Sequence, residues 1–150
     1  ASVKDNITLA SLKDYCPKGV INGALEKEAA NKMVKELNIK TPSLNQKVGN
    51  LSGGNQQKVV VAKWLLTGSD IVIMDEPTRG IDIAAKHEIY RLINLMVQEG
   101  KAVIVISSEM PELLGISDRI FVMCEGKITG EFQREDFDQE EILKCSSTVA

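Results

Sequence analysis

Two short stretches of the 150-residue chain combine residue types suited to phosphate chemistry. Leu51-Ser52-Gly53-Gly54 stands immediately before an apolar run that reads as a helix. The glycines let backbone N–H groups approach a ligand closely, and the start of a helix adds partial positive charge. That is an anion-binding arrangement. A serine N-cap followed by a glycine hinge explains the same four residues, so the tetrapeptide alone leaves both readings open. Asp75-Glu76 closes a second apolar run. In open α/β sheets ligands sit beyond the carboxyl ends of the strands. There the first carboxylate can hold Mg2+ through water, and the second can orient or deprotonate an attacking water. Two solvated turn carboxylates before Pro77 are the alternative.

The surrounding pattern supplies elements to hold both stretches. Ala30, Met33, Val34 and Leu37 recur at helical spacing within a polar region broken by Pro17, Gly19, Gly23 and Pro42, which predicts a small helical subdomain over 1–54. Asn55 to about Leu66 is apolar almost all round and predicts a buried helix ended by Gly68 and Ser69. Ile71–Met74 and Ala102–Ile106 read as buried parallel strands. Between them Ile89, Leu92, Ile93, Met96 and Val97 line one helix face, with Asp82 placed to cap it and Gly100 to end it. Arg119–Cys124 and Lys127–Phe132 flank a Glu125-Gly126 turn and predict a hairpin; Asp138 and Glu141 are spaced as a capping box for a last helix. The fold class is therefore α/β, with a mostly parallel sheet.

Composition narrows the function. A net charge of −3 and a pI near 5.3 give no broad basic field, which argues against nucleic acid as a partner. Cys16, Cys124 and Cys145 are odd in number and widely spaced, as in a reducing compartment, with neither a disulfide framework nor zinc spacing. No apolar run reaches the roughly 18 residues of a spanning helix, so any membrane association is expected to be peripheral.

Taken together, Leu-Ser-Gly-Gly, a buried helix, Asp-Glu-Pro-Thr, Gly80-Ile81-Asp82 and a strand ending at Ser107-Ser108 resemble the ABC ATPase family in order and spacing, over about 43–132. The resemblance implies a partial P-loop NTPase domain. Residues 1–54 would be its helical (signature) subdomain, and 55–150 a partial core with Walker B strand, D-loop, switch strand and C-terminal hairpin. The form Leu-Ser-Gly-Gly-Asn-Gln-Gln-Lys, with Asp-Glu-Pro-Thr-Arg-Gly-Ile-Asp and Ser-Ser-Glu-Met-Pro-Glu-Leu, is similar to the second nucleotide-binding domain of tandem ATP-binding subunits in bacterial ribose- and galactose-type importers.

By that resemblance Leu51, Ser52, Gly53, Gly54, Asn55 and Gln56 contact the γ-phosphate side of ATP held by a facing domain. Gly80, Ile81 and Asp82 form the D-loop interface, Asp75 lies on the Mg2+ side, Glu76 is the candidate general base and Ser108 holds the switch position. The implied partners are the facing ATP-binding domain and a membrane-spanning sugar permease, on the cytoplasmic face of the cell membrane.

The chain departs from the family pattern twice. No Gly-x-x-x-x-Gly-Lys-[Ser/Thr] occurs in it, so the P-loop cradle is missing and neither ATP nor Mg2+ is expected to bind this chain tightly alone. Ser108 stands where most members place a histidine, and a neutral hydroxyl supplies no imidazolium charge, which argues against hydrolysis at this domain's own site. Ala1 is no initiator methionine, and the chain is expected to be a piece of something longer, prone to self-association through uncovered strand edge and apolar surface. The rival readings are a non-transport member of the family and a non-catalytic docking or regulatory module. His87 receives no assigned role, and Arg79 either contacts the facing domain or is merely solvated.

Overall fold

The computed structural model describes residues 1–147. It contains two compact units, one of Ala1–Ile104 and one beginning at Val105. Helix α1 (Val3–Thr8) opens the first unit with a reciprocal cap: Asp5 N–H donates to Ser2 Oγ at 3.1 Å, and Ser2 N–H donates to the Asp5 carboxylate at 3.2 Å. Helix α2 (Gly23–Glu36) is capped by Asn22, whose Oδ1 accepts from the N–H groups of Ala24 and Leu25. It buries Ala30 and Met33, as the helical spacing requires, and it ends with Asn38 in the left-handed region at φ +49°. Glu26 of α2 is buried against α1, where it accepts from the Thr8 hydroxyl at 2.9 Å and pairs with Lys4.

Helix α3 (Gly53–Leu65), strand β1 (Ile71–Asp75), helix α4 (Ile83–Gln98) and strand β2 (Ala102–Ile106) follow. The two strands pair as a small parallel sheet, with α4 as the crossover between them. Asp82 caps α4, its Oδ1 accepting from Ala85 N–H at 2.9 Å, and Gly100 reverses the chain at φ +87°. Ile89, Leu92, Ile93 and Met96 form the buried stripe of α4, whereas Val97 is 47% exposed.

Both strands were expected to be buried on both faces, and they are not. In β1, Val72 and Met74 turn inward while Ile71 and Ile73 are 59% and 65% exposed; in β2, Ile104 and Ile106 are exposed as well. An apolar run without alternation suits a strand covered on both sides, and the described residues cover one. The expectation of an apolar helix buried all round needs the same correction. Helix α3 buries Val59, Val61 and Ala62 but leaves Val60 and Trp64 exposed beside a cavity of about 190 Å³ that also meets Val72 and Met74.

In the second unit, helix α5 (Met110–Ile116) precedes the antiparallel hairpin of β3 (Arg119–Cys124) and β4 (Lys127–Gln133). Glu125 and Gly126 turn the hairpin at φ +47° and +78°, the left-handed pair of a tight two-residue connection. Asp138 Oδ1 accepts from the N–H groups of Glu140 and Glu141 at the start of α6 (Gln139–Ser147). Ile120, Val122 and Ile142 make the core of this unit.

Candidate functional site

Helix α3 begins at the glycine pair. Ser52 is extended at φ −61°, ψ 154°, and its side chain makes no capping bond to the helix. The first bond of the helical ladder runs from Gln56 N–H to Ser52 O at 2.9 Å. The N–H groups of Gly53, Gly54 and Asn55 precede that ladder and carry the positive end of the helix dipole. Ser52 and Gly53 are exposed there.

The two glycines have different jobs. Gly54 is buried, and a Cβ on it would lie 2.6 Å from Ala85 Cβ, so α3 and α4 can approach this closely only with no side chain at 54. A Cβ on Gly53 would meet Ile81 Cγ2 at 3.3 Å and Gly80 O at 3.8 Å. The glycine loop and the Gly80–Asp82 segment, which lie far apart in sequence, are thereby brought together.

Two polar side chains of α3, Gln56 and Asn55, bind the loop from behind, and a third, Lys58, ties the helix to its neighbours. Gln56 Nε2 donates to Leu51 O at 2.8 Å. Asn55 Oδ1 accepts from Lys40 N–H at 2.7 Å, and Asn55 Nδ2 donates to Ser52 Oγ at 2.8 Å. Lys58, only 3% exposed, donates to Asn38 O at 3.1 Å and pairs with Glu88 of α4 at 2.6 Å. One buried ammonium therefore joins the end of α2, the glycine-loop helix and α4. Sequence reasoning met Lys58 only as the last residue of a motif, without a role, and passed over Glu88 and Ala85. The available signals were a lysine inside an apolar run and a small residue in the first turn of α4.

Asp75 is exposed at the carboxyl end of β1, and the next residue, Glu76, sits in the left-handed region at φ +46°. A non-glycine residue rarely adopts that conformation, and it persists where neighbours over-determine it. Here the neighbours are Pro77 and Thr78, both fully buried, and the turn from Arg79 N–H to Glu76 O at 3.2 Å. Gly80, at φ +75°, completes the reversal and delivers Asp82 to cap α4. Arg79 is exposed, and His87 on the outer side of α4 meets only the edge of Tyr90 among aromatic rings in the described residues.

Ser108 lies just beyond β2, exposed, in the second unit. Its neighbour Ser107 is held inside that unit, donating to Glu112 at 2.5 Å and accepting from Glu109 N–H at 3.0 Å. Among the described residues no group of three or more His, Cys, Asp or Glu converges on one point. Asp75 therefore offers a single exposed carboxylate. That suits Mg2+, which commonly takes one or two protein carboxylates and fills its remaining positions with water and phosphate oxygens.

The chain is similar to known proteins. Over 145 residues the chain is 54% identical to the xylose import ATP-binding protein XylG of Thermoanaerobacter pseudethanolicus, covering 97% of the chain and 29% of that protein. It is likewise 54% identical over 142 residues to the ribose import ATP-binding protein RbsA of Oceanobacillus iheyensis, covering 95% of the chain and 29% of that protein. The chain thus spans under a third of the length of these curated relatives. An ATP-binding cassette solved as a dimer in a post-hydrolysis state, bound to ADP and Pi, superposes with a TM-score of 0.74 at 25% identity, over 91% of this chain and 58% of that one. The sequence profile described as ABC transporter matches residues 2–79, more than half of the chain. Those residues run from the cap of α1 through the glycine loop to the strand-end carboxylates, and the chain belongs to the ABC transporter family.

Proposed function

We propose that this chain is part of the ATP-binding subunit of a sugar importer, and that its Leu51–Gln56 loop acts on ATP held by a facing domain. The observation that carries the reading is the exposed Ser52-Gly53 pair at the open positive end of α3, backed by a buried Gly54 and by the Gly80–Asp82 segment. A γ-phosphate docked there would meet backbone N–H groups, a hydroxyl and the helix dipole, while its β-phosphate cradle would come from another polypeptide segment. Residues 1–54 then serve as the signature subdomain and 55–150 as the remaining portion of the core. The sugar permease is the membrane partner, which places the subunit on the cytoplasmic side.

The same reading assigns roles at the end of β1. Asp75 would face Mg2+ through water, the ion supplying charge neutralisation at the phosphates, and Glu76 would lie next to the attacking water. Ser108 supplies no cationic group at the switch position, so hydrolysis is assigned to the site that this loop completes. The deciding experiment is ATP turnover by the full-length protein with its permease after Gly53→Glu. The acidic side chain would occupy the phosphate position and collide with Ile81, and turnover should fall by about 100-fold or more. Normal turnover would refute the assignment.

A further inference from the structure

Asn55 sits in an arrangement that direct contact with nucleotide does not explain. Lys40 N–H donates to its Oδ1, and its Nδ2 donates to Ser52 Oγ. A backbone N–H can only donate, so the carboxamide oxygen must face Lys40 and the NH2 must face Ser52. Ser52 Oγ is therefore an acceptor toward Asn55. A serine hydroxyl has one proton, which cannot lie along a bond in which its oxygen accepts. The proton is turned away from Asn55. The Ser52 side chain does not cap α3 either, and the residue is exposed at the helix's positive end.

We infer that Asn55 is a positioning residue whose carboxamide fixes the Ser52 hydroxyl as an outward donor to a phosphate oxygen, with Lys40 N–H locking the carboxamide in the orientation that does so. The inference rests on the phosphate-facing reading of Leu51–Gln56 and deepens it. Asn55 moves from the ligand's contacts to a place behind them, and the segment following α2 gains a direct connection to the hydroxyl that meets the ligand. A hydroxyl left to rotate spends part of its time donating elsewhere, and preorganised donors are the ones that stabilise developing charge most.

A double-mutant cycle on ATP turnover by the full-length protein with its permease tests this. Ser52→Ala should lower kcat by about 10-fold or more, and Asn55→Ala by about 5-fold, as expected for losing and for loosening one charge-directed hydrogen bond. In the Ser52→Ala background, Asn55→Ala should change kcat by less than about 2-fold, since no hydroxyl is left to orient. Ser52→Ala with unchanged turnover would refute the phosphate-facing reading and this inference with it. An impaired Ser52→Ala, with Asn55→Ala silent or equally costly in both backgrounds, would refute the inference alone. Should Asn55→Ala not fold, Asn55→Asp keeps an oxygen for Lys40 and offers Ser52 an acceptor that draws the proton inward. Its turnover should then fall by at least as much as that of Ser52→Ala, and wild-type turnover would overturn the inference.

Discussion

Around Gly54 the first unit closes on itself: the glycine meets Ala85, Lys58 joins Asn38 to Glu88, and Asn55 joins Lys40 to Ser52. Along β1 and the start of β2 the same unit leaves Ile71, Ile73 and Ile104 open, with Trp64 and Val60 of α3 exposed at the edge of a cavity that β1 also lines. One region has polar groups paired by short, directional bonds within the chain; the other has apolar surface lacking cover. Directional bonds specify their own partners, so the loop region can hold its geometry locally. Apolar surface specifies only that something must cover it, and relatives more than three times the chain's length have the material to do so.

That contrast can be broken most sharply at Lys58. Lys58→Ala would leave Asn38 O without its buried donor and would separate α2 from α4, costing about 3 kcal/mol in urea unfolding. Glu88 is 45% exposed in its side chain, so Glu88→Gln should cost about 1 kcal/mol or less. Equal losses would show that the ion pair, rather than the buried three-way connection, matters. Gly54→Val should cost about 2 kcal/mol by forcing α3 away from Ala85, and Gly53→Ala clearly less, because only Ile81 has to give way. Thermal unfolding of the two variants separates a packing glycine from an exposed one.

Smaller effects are expected away from the loop. Ser2→Ala removes the cap of α1 and should cost about 1 kcal/mol at neutral pH. Ser2's side-chain and backbone hydrogen bonds hold the Asp5 carboxyl below its ordinary value of 3.8. A carboxyl so depressed contributes stability above that ordinary value and loses it as pH falls through its folded value. The gap between wild type and Ser2→Ala should therefore narrow as pH drops below 3.8; a gap independent of pH would contradict the reciprocal cap. Least costly to folding is the open sheet face. Ile73→Thr combined with Ile104→Thr should change stability by under about 0.5 kcal/mol while shifting the isolated chain toward monomer in sedimentation experiments. Unchanged association would sever the link between that face and self-association.

Much of the architecture was legible in sequence wherever a local rule governs it. The 3.6-residue stripe of α4, its Asp82 cap, the Gly100 stop and the Glu125-Gly126 hairpin turn all depend on near neighbours, and all stand as their residues demand except Val97 at the end of the stripe, which is exposed. Burial of the strands was misjudged, because the composition of Ile71–Met74 reports the cover a strand needs and not whether this chain supplies it. The glycine loop could be found from its residues, and Gly80–Asp82 from its order. The close approach of Gly54 to Ala85 and the route from Lys40 through Asn55 to Ser52 could not, since each joins positions whose proximity is set by packing of three helices. Helix α1 was missed although Ser2 and Asp5 stand at capping-box spacing, the acid being aspartate instead of the usual glutamate or glutamine.

The central claim is that Ser52 stands against the γ-phosphate of nucleotide bound elsewhere in the assembly. Orthovanadate takes the γ-phosphate position beside ADP, and on irradiation it cleaves the backbone at the residue it touches. Trapping the full-length protein with vanadate, irradiating it and mapping the fragments by mass spectrometry should give a break at Ser52, lost in Ser52→Ala. Cleavage elsewhere in the protein with the Leu51–Gln56 segment intact would contradict the claim.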